Sequence, residues 1–542
     1  MPFTPELRQK VDQIRDYLYG GGYPDPVSNA EQLAFLLYFN LAEPLDAQHA
    51  ARARVTKQRY DSIYAGDWEL KNPLNGIMFS GERTIARDVF RWSRWAKAYS
   101  GENLVRFVRD EVFPFFADVA DRSAVNFMDG ARLGIDEPTV LTQAINKIDE
   151  LRLDSADADT KGDLFEHVLR QIKQAGELGQ FRTPRHIIRA IVKMIAPTIG
   201  ETVYDPAAGT AGFLVAAYDA VRLAHSSEHA LETVEVDGKP LQRGHGDRLN
   251  LAQWQVLQER TFFGNDVDPK MVRLATMNLT LRGLPDVRIQ KRNVLTTTLD
   301  NEQKRERGLP VEGYHVILAN PPFSGRVDKD RIVEDVKVGT TTATEILFLK
   351  YMMDSLRPGG RCGVIVPEGV LFGSTGAHKE LRRQLLESFR VEAVLSLPGG
   401  VFQPYSGVKT SVLLFSKQGG TERVLFLHAD ADGYKLDANH DAAVEADDLP
   451  GLVEAYQSRA ERWAAWRDRD PQAEWAEKWW FATGEEIRAN DFNLSAGRYR
   501  PMSQAQVEHR NPLELLDELA AIEAEILGEV EALRAVLSNG HS

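Results

Sequence analysis

The amino-acid sequence predicts an α/β protein: a doubly wound, mostly parallel sheet of seven strands, preceded by an N-terminal helical domain and followed by a C-terminal helical tail. Three observations predict it. Between residues 161 and 418 short β-rich runs alternate with helical ones, the pattern of strand–crossover–strand units. Before residue 155 apolar residues recur at helical spacing, with no strand–turn–strand signal between them. Near the end Leu513, Leu516, Leu519, Ile522, Ile526, Val530 and Leu533 recur at intervals of three or four in an acidic setting, one stripe of a helix.

The helical domain, 1–155, rests on EQLAFLLYFNLAEPL and on ENLVRFVRDEVFPFFADVA, the second interrupted by proline. The polar, acidic LRLDSADADTKGD reads as a linker. The α/β domain, 161–418, carries the candidate strands ETVYDPA, RTFFGND, VRIQKRN, YHVILANPP, RCGVIVP, VEAVLSLP and TSVLLFSK. The last two are joined by a loop of about a dozen residues without room for a crossover helix, so they are expected to pair antiparallel. A mixed region with several tryptophans, 419–505, offers no clear periodicity. The terminal helix, 511–537, is expected to dock either on its own chain or on a partner.

At 542 residues the chain exceeds what one core can organise. No run of about 18 apolar residues offers a membrane span, and the N-terminus has no secretory pattern. A single cysteine, Cys362, excludes an internal disulfide and a cysteine-rich zinc site, which fits a reducing cytoplasm. RGHGD, with His245 and Asp247, lacks further ligands at metal spacing and reads as a solvated loop, so no metal is expected. The net charge of −14 does not suit an autonomous nucleic-acid binder, which relies on neutralising phosphates. A chain of this charge working on DNA would need another subunit to supply much of the grip.

ETVYDPAAGTAGFLVAAY is a strand ending in Asp205-Pro206, then a small-residue turn, then a helix. Small residues there admit a ligand to the backbone, and the helix start presents free N–H groups. Asp205, Pro206, Ala207, Gly209, Thr210, Ala211, Gly212 and Phe213 are therefore the expected floor of a nucleoside pocket, although a merely tight strand–helix turn would look similar. FFGNDVDP places Asp266 at the next strand end, where a carboxylate can accept from both ribose hydroxyls, with Asp268 the better helix cap. YHVILANPPFSG ends a further strand in Asn320-Pro321-Pro322-Phe323. Consecutive prolines fix the backbone, so the Asn320 amide oxygen and the Pro321 carbonyl can each accept one hydrogen of a planar amine, aligning its nitrogen on a sulfonium methyl group. Phe323 would stack on the ring of a base taken out of its helix.

In this order, DPAAGTAGF, then a strand-end acid, then NPPF, the sequence resembles the amino-methyltransferases of DNA adenine N6, and over nearly its whole length the modification subunits of type I restriction-modification systems. GQFRTPRHIIRAIVKMI, TEILFLKYMMDSLRPGGRCGVIVPEGVLFG, LPGGVFQPYSGVKTSVLLFSK and NLSAGRY add to the likeness. The resemblance implies a Rossmann-like seven-stranded methyltransferase sheet and S-adenosylmethionine as cofactor. It also implies assembly on DNA with a DNA-specificity subunit and a restriction (nuclease/translocase) subunit, two copies of this chain per complex. Gln180, Phe181, Arg182, Thr183, Pro184 and Arg185 would close over the cofactor's methionine part, with Thr183 also read as an N-cap and Pro184 as the first helical residue.

Two positions depart from the family pattern. Ala211 stands where a glycine is usual, and Asn293 ends the third strand where many relatives carry an acid contacting the cofactor's adenine; its carbonyl can still accept that hydrogen bond. Asn-Pro-Pro-Phe motifs also serve enzymes that methylate guanine amines of ribosomal RNA or glutamine amides of proteins, and a catalytically silent scaffold of the same fold is a further reading. The long helical front and the terminal helix argue against the first group. The joint presence of Asp205 and Asn320-Pro321-Pro322-Phe323 argues against the second.

Overall fold

All seven runs read as strands enter one sheet in the computed structural model, and two more extend it, so the expected count of seven is corrected to nine. The structure describes residues 4–501, apart from 57–58, 70–83, 121–127, 129, 171–182, 285–286, 404–406, 438–439, 441 and 471–474, together with Glu523. The expected terminal helix thus lies outside the described residues, Glu523 excepted. The strands are β1 (Val203–Asp205), β2 (Phe262–Asp266), β3 (Arg288–Lys291), β4 (Tyr314–Ala319), β5 (Leu356–Pro367), β6 (Arg390–Ser396), β7 (Thr410–Ser416), β8 (Arg423–His428) and β9 (Trp479–Thr483). Their order is β9-β8-β6-β7-β5-β4-β1-β2-β3.

Strands β5, β4, β1, β2 and β3 run parallel, as crossover helices require. β6 and β7 pair antiparallel from Arg390↔Ser416 to Ser396↔Ser411, as their short connection demands. The two added strands come from the tryptophan-containing region: β8 pairs parallel with β6, and β9 antiparallel with β8. Both are buried on both faces, so neither alternates in polarity, and the sheet runs past residue 418 without a period-2 signal in the sequence.

The N-terminal part is built on α1 (Pro5–Gly20), α2 (Pro26–Thr56), shorter helices including Gly101–Phe107 and Pro138–Glu150, and α3 (Ala158–Arg170). Thr4 caps α1, and Val11, Ile14 and Leu18 turn inward. Phe35, Phe39, Phe113 and Phe116 interlock in the centre of this core. A two-stranded hairpin, Asp67–Glu69 with Thr84–Ala86, breaks the expected all-helical pattern; three residues per strand leave too short a run to register in the sequence. No helix among the described residues is long and apolar enough to cross a membrane.

One helix belongs to both cores. α6 (Pro269–Leu281) follows β2, buries Val272, Ala275 and Leu279 against the sheet, and turns Met271, Leu274, Met277 and Leu281 into the helical core. Buried ion pairs reinforce this seam: Arg273 with Glu31 at 2.6 Å and Arg282 with Glu166 at 2.9 Å. Arg222 on α5 (Gly212–Ala224) adds a pair with Asp159 at 2.7 Å. Such charges are tolerated in the interior because each has its counter-ion.

Candidate active site

The turn between β1 and α5 leaves open space through its backbone conformation. Gly209 sits at φ +51, and a Cβ added there would meet nothing within 4 Å. Ala211 caps α5 at φ +66, so its departure from glycine matters through backbone strain of about 1–2 kcal/mol, not only through the size of a methyl group. Gly212 faces Ile188, whose Cδ1 lies 3.1 Å from where a Cβ would stand. Asn278 on α6 pins the turn by donating to Thr210 O at 2.9 Å. Sequence reasoning missed it; its only signal is one amide in the apolar run LATMNLTL. Phe213 packs into the core, and Pro206 is buried beside Asp205.

Two carboxylates converge on this turn. Asp205 is 2% exposed, and its Oδ1 accepts from Ala207 N at 3.0 Å. Burial pushes its carboxyl up to about 8, with a smaller push from Asp266. Asp266 is 8% exposed; its Oδ2 accepts from Gly209 N and its Oδ1 from Asp268 N, each at 2.9 Å. Burial raises its carboxyl too. Asp268 caps α6 through Lys270 N at 2.8 Å, leaving Asp266 to link the β1–α5 turn to the second strand end. Asn293 Oδ1 accepts from Leu295 N at 3.0 Å, so one of that oxygen's two lone pairs serves its own turn.

Asn320 follows β4, and its side chain reaches α4 (Arg185–Ile195): Nδ2 donates to Thr183 Oγ1 at 2.9 Å. That corrects the capping assignment. Pro184, whose side chain has no polar atom, is the N-cap of α4, and the Thr183 hydroxyl is turned to Asn320. Asn320 Oδ1 is buried and has no hydrogen-bond partner, which is costly unless a donor arrives. Beyond the buried Pro321 and exposed Pro322, Thr344 at the start of α7 (Thr344–Ser355) holds the turn: Oγ1 lies 3.3 Å from Pro322 O and 3.1 Å from Gly325 O. Gly325 must lack a Cβ, which would meet Thr344 Cγ2 at 2.8 Å. Phe323 is 5% exposed, its ring edge-on to Phe402 at 5.4 Å. Neither Thr344 nor Phe402 was flagged by the sequence, since both act across long chain separations.

Of the upstream loop, Gln180, Phe181 and Arg182 lie outside the described residues, and Arg185 turns to Glu166 on α3 at 2.5 Å. The stretch read as a solvated loop around RGHGD begins as a strand, Lys239–Gly244 pairing with Leu231–Val236, and Asp247 binds Ser227, not His245. Cys362 is buried in β5.

A profile of the family described as N-6 DNA Methylase matches residues 156–508. The methylase subunit of the type I restriction enzyme EcoEI of Escherichia coli is 30% identical over 470 residues, which cover 83% of this chain and 86% of that one. The EcoKI methylase subunit of E. coli K12 is 31% identical over 296 residues, 52% of this chain and half of that one. Among solved structures, a chain from work on complex assembly and conformational transition of the type I R-M system superposes with a TM-score of 0.65 at 26% identity, each chain covered in full. The type I methyltransferase subunit of Streptococcus thermophilus superposes at 0.59 with 17% identity, covering 91% of this chain and 99% of that one. The fold is thus of the mixed α/β methyltransferase kind. The chain belongs to the N-6 DNA methylase family, as an adenine-specific DNA methyltransferase of the type I restriction-modification class.

Proposed function

We propose that this chain uses S-adenosylmethionine to methylate N6 of an adenine swung out of DNA, as the modification subunit of a type I complex. The observation that carries the reading is the buried, unpartnered Asn320 Oδ1 beside a proline-fixed turn. An exocyclic amine supplies the missing donor. Its second hydrogen goes to the Pro321 carbonyl, and the two acceptors together orient the nitrogen lone pair. The amine loses its proton to water after transfer, so no general base is needed.

The residues present fit the cofactor. The open Gly209 turn leaves room for a nucleoside against the backbone, Asp266 would accept from ribose hydroxyls, and a cationic ligand would favour the ionised form of the buried Asp205 carboxyl. When bound, the cofactor supplies an electrophilic methyl group. Asn293 and the Gln180–Arg185 loop complete the adenine and methionine ends. Phe323 stacks on the flipped base once Phe402 gives way.

Net charge −14 argues that another subunit grips the DNA. The proposed assembly is two copies flanking one DNA-specificity subunit, with a nuclease/translocase subunit joining for restriction, and with the Leu513–Leu533 stripe available for docking. The test is methylation of genomic DNA by the chain alone and by the chain co-expressed with its specificity subunit, read by sequencing of N6-methyladenine. Motif-specific N6 methylation only with the partner is expected. Efficient site-specific methylation by the chain alone would overturn the subunit reading, and methyl transfer to another amine would overturn the substrate.

A further inference from the structure

We propose that His186, Asp432 and His440 bind a divalent transition cation of the zinc class, which clamps the first turn of α4 to the segment that follows β8. No metal is expected from RGHGD, and these three residues carry no metal spacing in the chain: His186 and Asp432 are separated by 246 positions. The fold brings one ligand atom from each to within 4.8 Å of the others. His186 Nε2 lies 3.0 Å from Asp432 Oδ2, and His440 Nε2 lies 2.9 Å from the same oxygen. Asp432 is fully buried and His440 is 5% exposed.

The backbone orients the His440 ring. Nδ1 lies 3.2 Å from the Val401 carbonyl. A carbonyl only accepts, so Nδ1 donates to Val401, and Nε2 is the ring nitrogen turned to Asp432. That nitrogen is buried and makes no aligned hydrogen bond despite its closeness to Asp432. Two imidazole nitrogens and a carboxylate oxygen gathered this closely in a buried site can share one cation. The outer contacts are those expected around a metal: a backbone carbonyl on the far nitrogen of His440, and Tyr434 N donating to Asp432 Oδ1 at 3.2 Å. His186 stacks on Tyr434 at 4.3 Å and meets His440 edge-on, which fixes both rings. Lys239, 5.0 Å over the Tyr434 ring, is paired with Asp447 at 2.7 Å, and Arg189 is the cation on α4 that acts on His186.

Two imidazoles and a carboxylate suit zinc and its neighbours, whereas magnesium and calcium take oxygen ligands; three protein ligands leave a fourth position for water. The clamp joins the two segments that hold the target-amine site. His186 lies three residues after Thr183, the partner of Asn320, and Val401 precedes Phe402, the partner of Phe323. The inference stands independently of methyl transfer.

The full-length chain, freed of metal with dipicolinate, would be titrated with Zn²⁺ by calorimetry and with Co²⁺ by visible absorption. One equivalent of each is expected, with Co²⁺ bands of a low-coordinate nitrogen–oxygen site and affinity falling as pH drops, because the imidazoles must be neutral. Asp432→Asn, close in shape to the native residue, and His440→Gln should each weaken binding by more than the roughly 10- to 100-fold that loss of an outer-shell partner costs. Circular dichroism of each variant establishes that it is folded. The proposal is overturned if the folded native chain binds neither ion stoichiometrically, or if both folded variants bind as the native chain does. In either case the cluster is a hydrogen-bonded His–Asp–His group holding a proton.

Discussion

Thr183 Oγ1 accepts a hydrogen bond from Asn320 Nδ2 at 2.9 Å, and this contact decides which end of the asparagine amide is left without a partner. With Nδ2 committed, Oδ1 is the buried atom in want of a donor.

Replacing Asn320 by alanine should lower methyl transfer by on the order of 100- to 1000-fold, as for loss of one preorganised polar contact, while cofactor affinity stays near native. Thr183→Val should act on the same step more weakly. It leaves Nδ2 without an acceptor, a penalty of about 1–3 kcal/mol, and frees the amide to turn. Single-turnover kinetics in the assembled complex, with calorimetric cofactor titration, separates the two effects; an N320A variant of native rate would remove Asn320 from the chemistry.

Asp266 and Asp268 are expected to separate binding from helix stability. Asp266→Ala removes a charged acceptor and should weaken S-adenosylmethionine binding by about 1.5–3 kcal/mol per hydrogen bond lost. Asp268→Ala removes the cap of α6 at a cost of about 1 kcal/mol to folding, with binding little changed. Denaturation and cofactor titration of both variants check the pairing. If the Asp268 variant loses binding and the Asp266 variant does not, the ribose contact moves to Asp268.

Asp205 should make both stability and binding depend on pH. Its folded carboxyl is raised from 3.8 to about 8, so between these limits the ligand-free folded chain holds a proton that the unfolded chain has released. Its contribution to stability is therefore full at low pH and is lost as pH rises towards about 8. A cationic ligand favours the ionised form, so cofactor binding should release a proton and strengthen with pH up to the same point. Asp205→Asn should flatten both profiles. Melting temperatures across this range, and calorimetry in buffers of different ionisation enthalpy, provide the measurement; a native-like pH profile in the asparagine variant would assign the titration elsewhere.

The Arg273–Glu31 pair at the seam between the two cores should be sensitive to loss of either partner alone. Arg273→Met or Glu31→Gln leaves an uncompensated buried charge and is expected to cost about 3–5 kcal/mol. The double variant should recover much of it. Equilibrium denaturation of the three variants gives the coupling directly, and additive single effects would mean that the pair acts through packing alone.

What the sequence determined by itself is what is local. Seven strands were legible because short β-rich runs bounded by turn residues alternate with helical ones, and the antiparallel sense of β6 and β7 followed from a connection too short for a crossover helix. The cofactor turn and Asn320-Pro321-Pro322-Phe323 were legible because glycine and proline act on the backbone they occupy. Only the tertiary structure decided the rest. Strands β8 and β9 are buried on both faces and carry no alternation to read. Thr183 at a helix start reads as a cap, and it becomes the partner of Asn320 only because the fold brings the residue before α4 to the end of β4, the two being 137 positions apart in the chain. Ala211 reads as a slightly large glycine until its positive φ is known. His186, Asp432 and His440 carry no common spacing; a ligand set drawn from separate elements becomes visible only when the chain has folded.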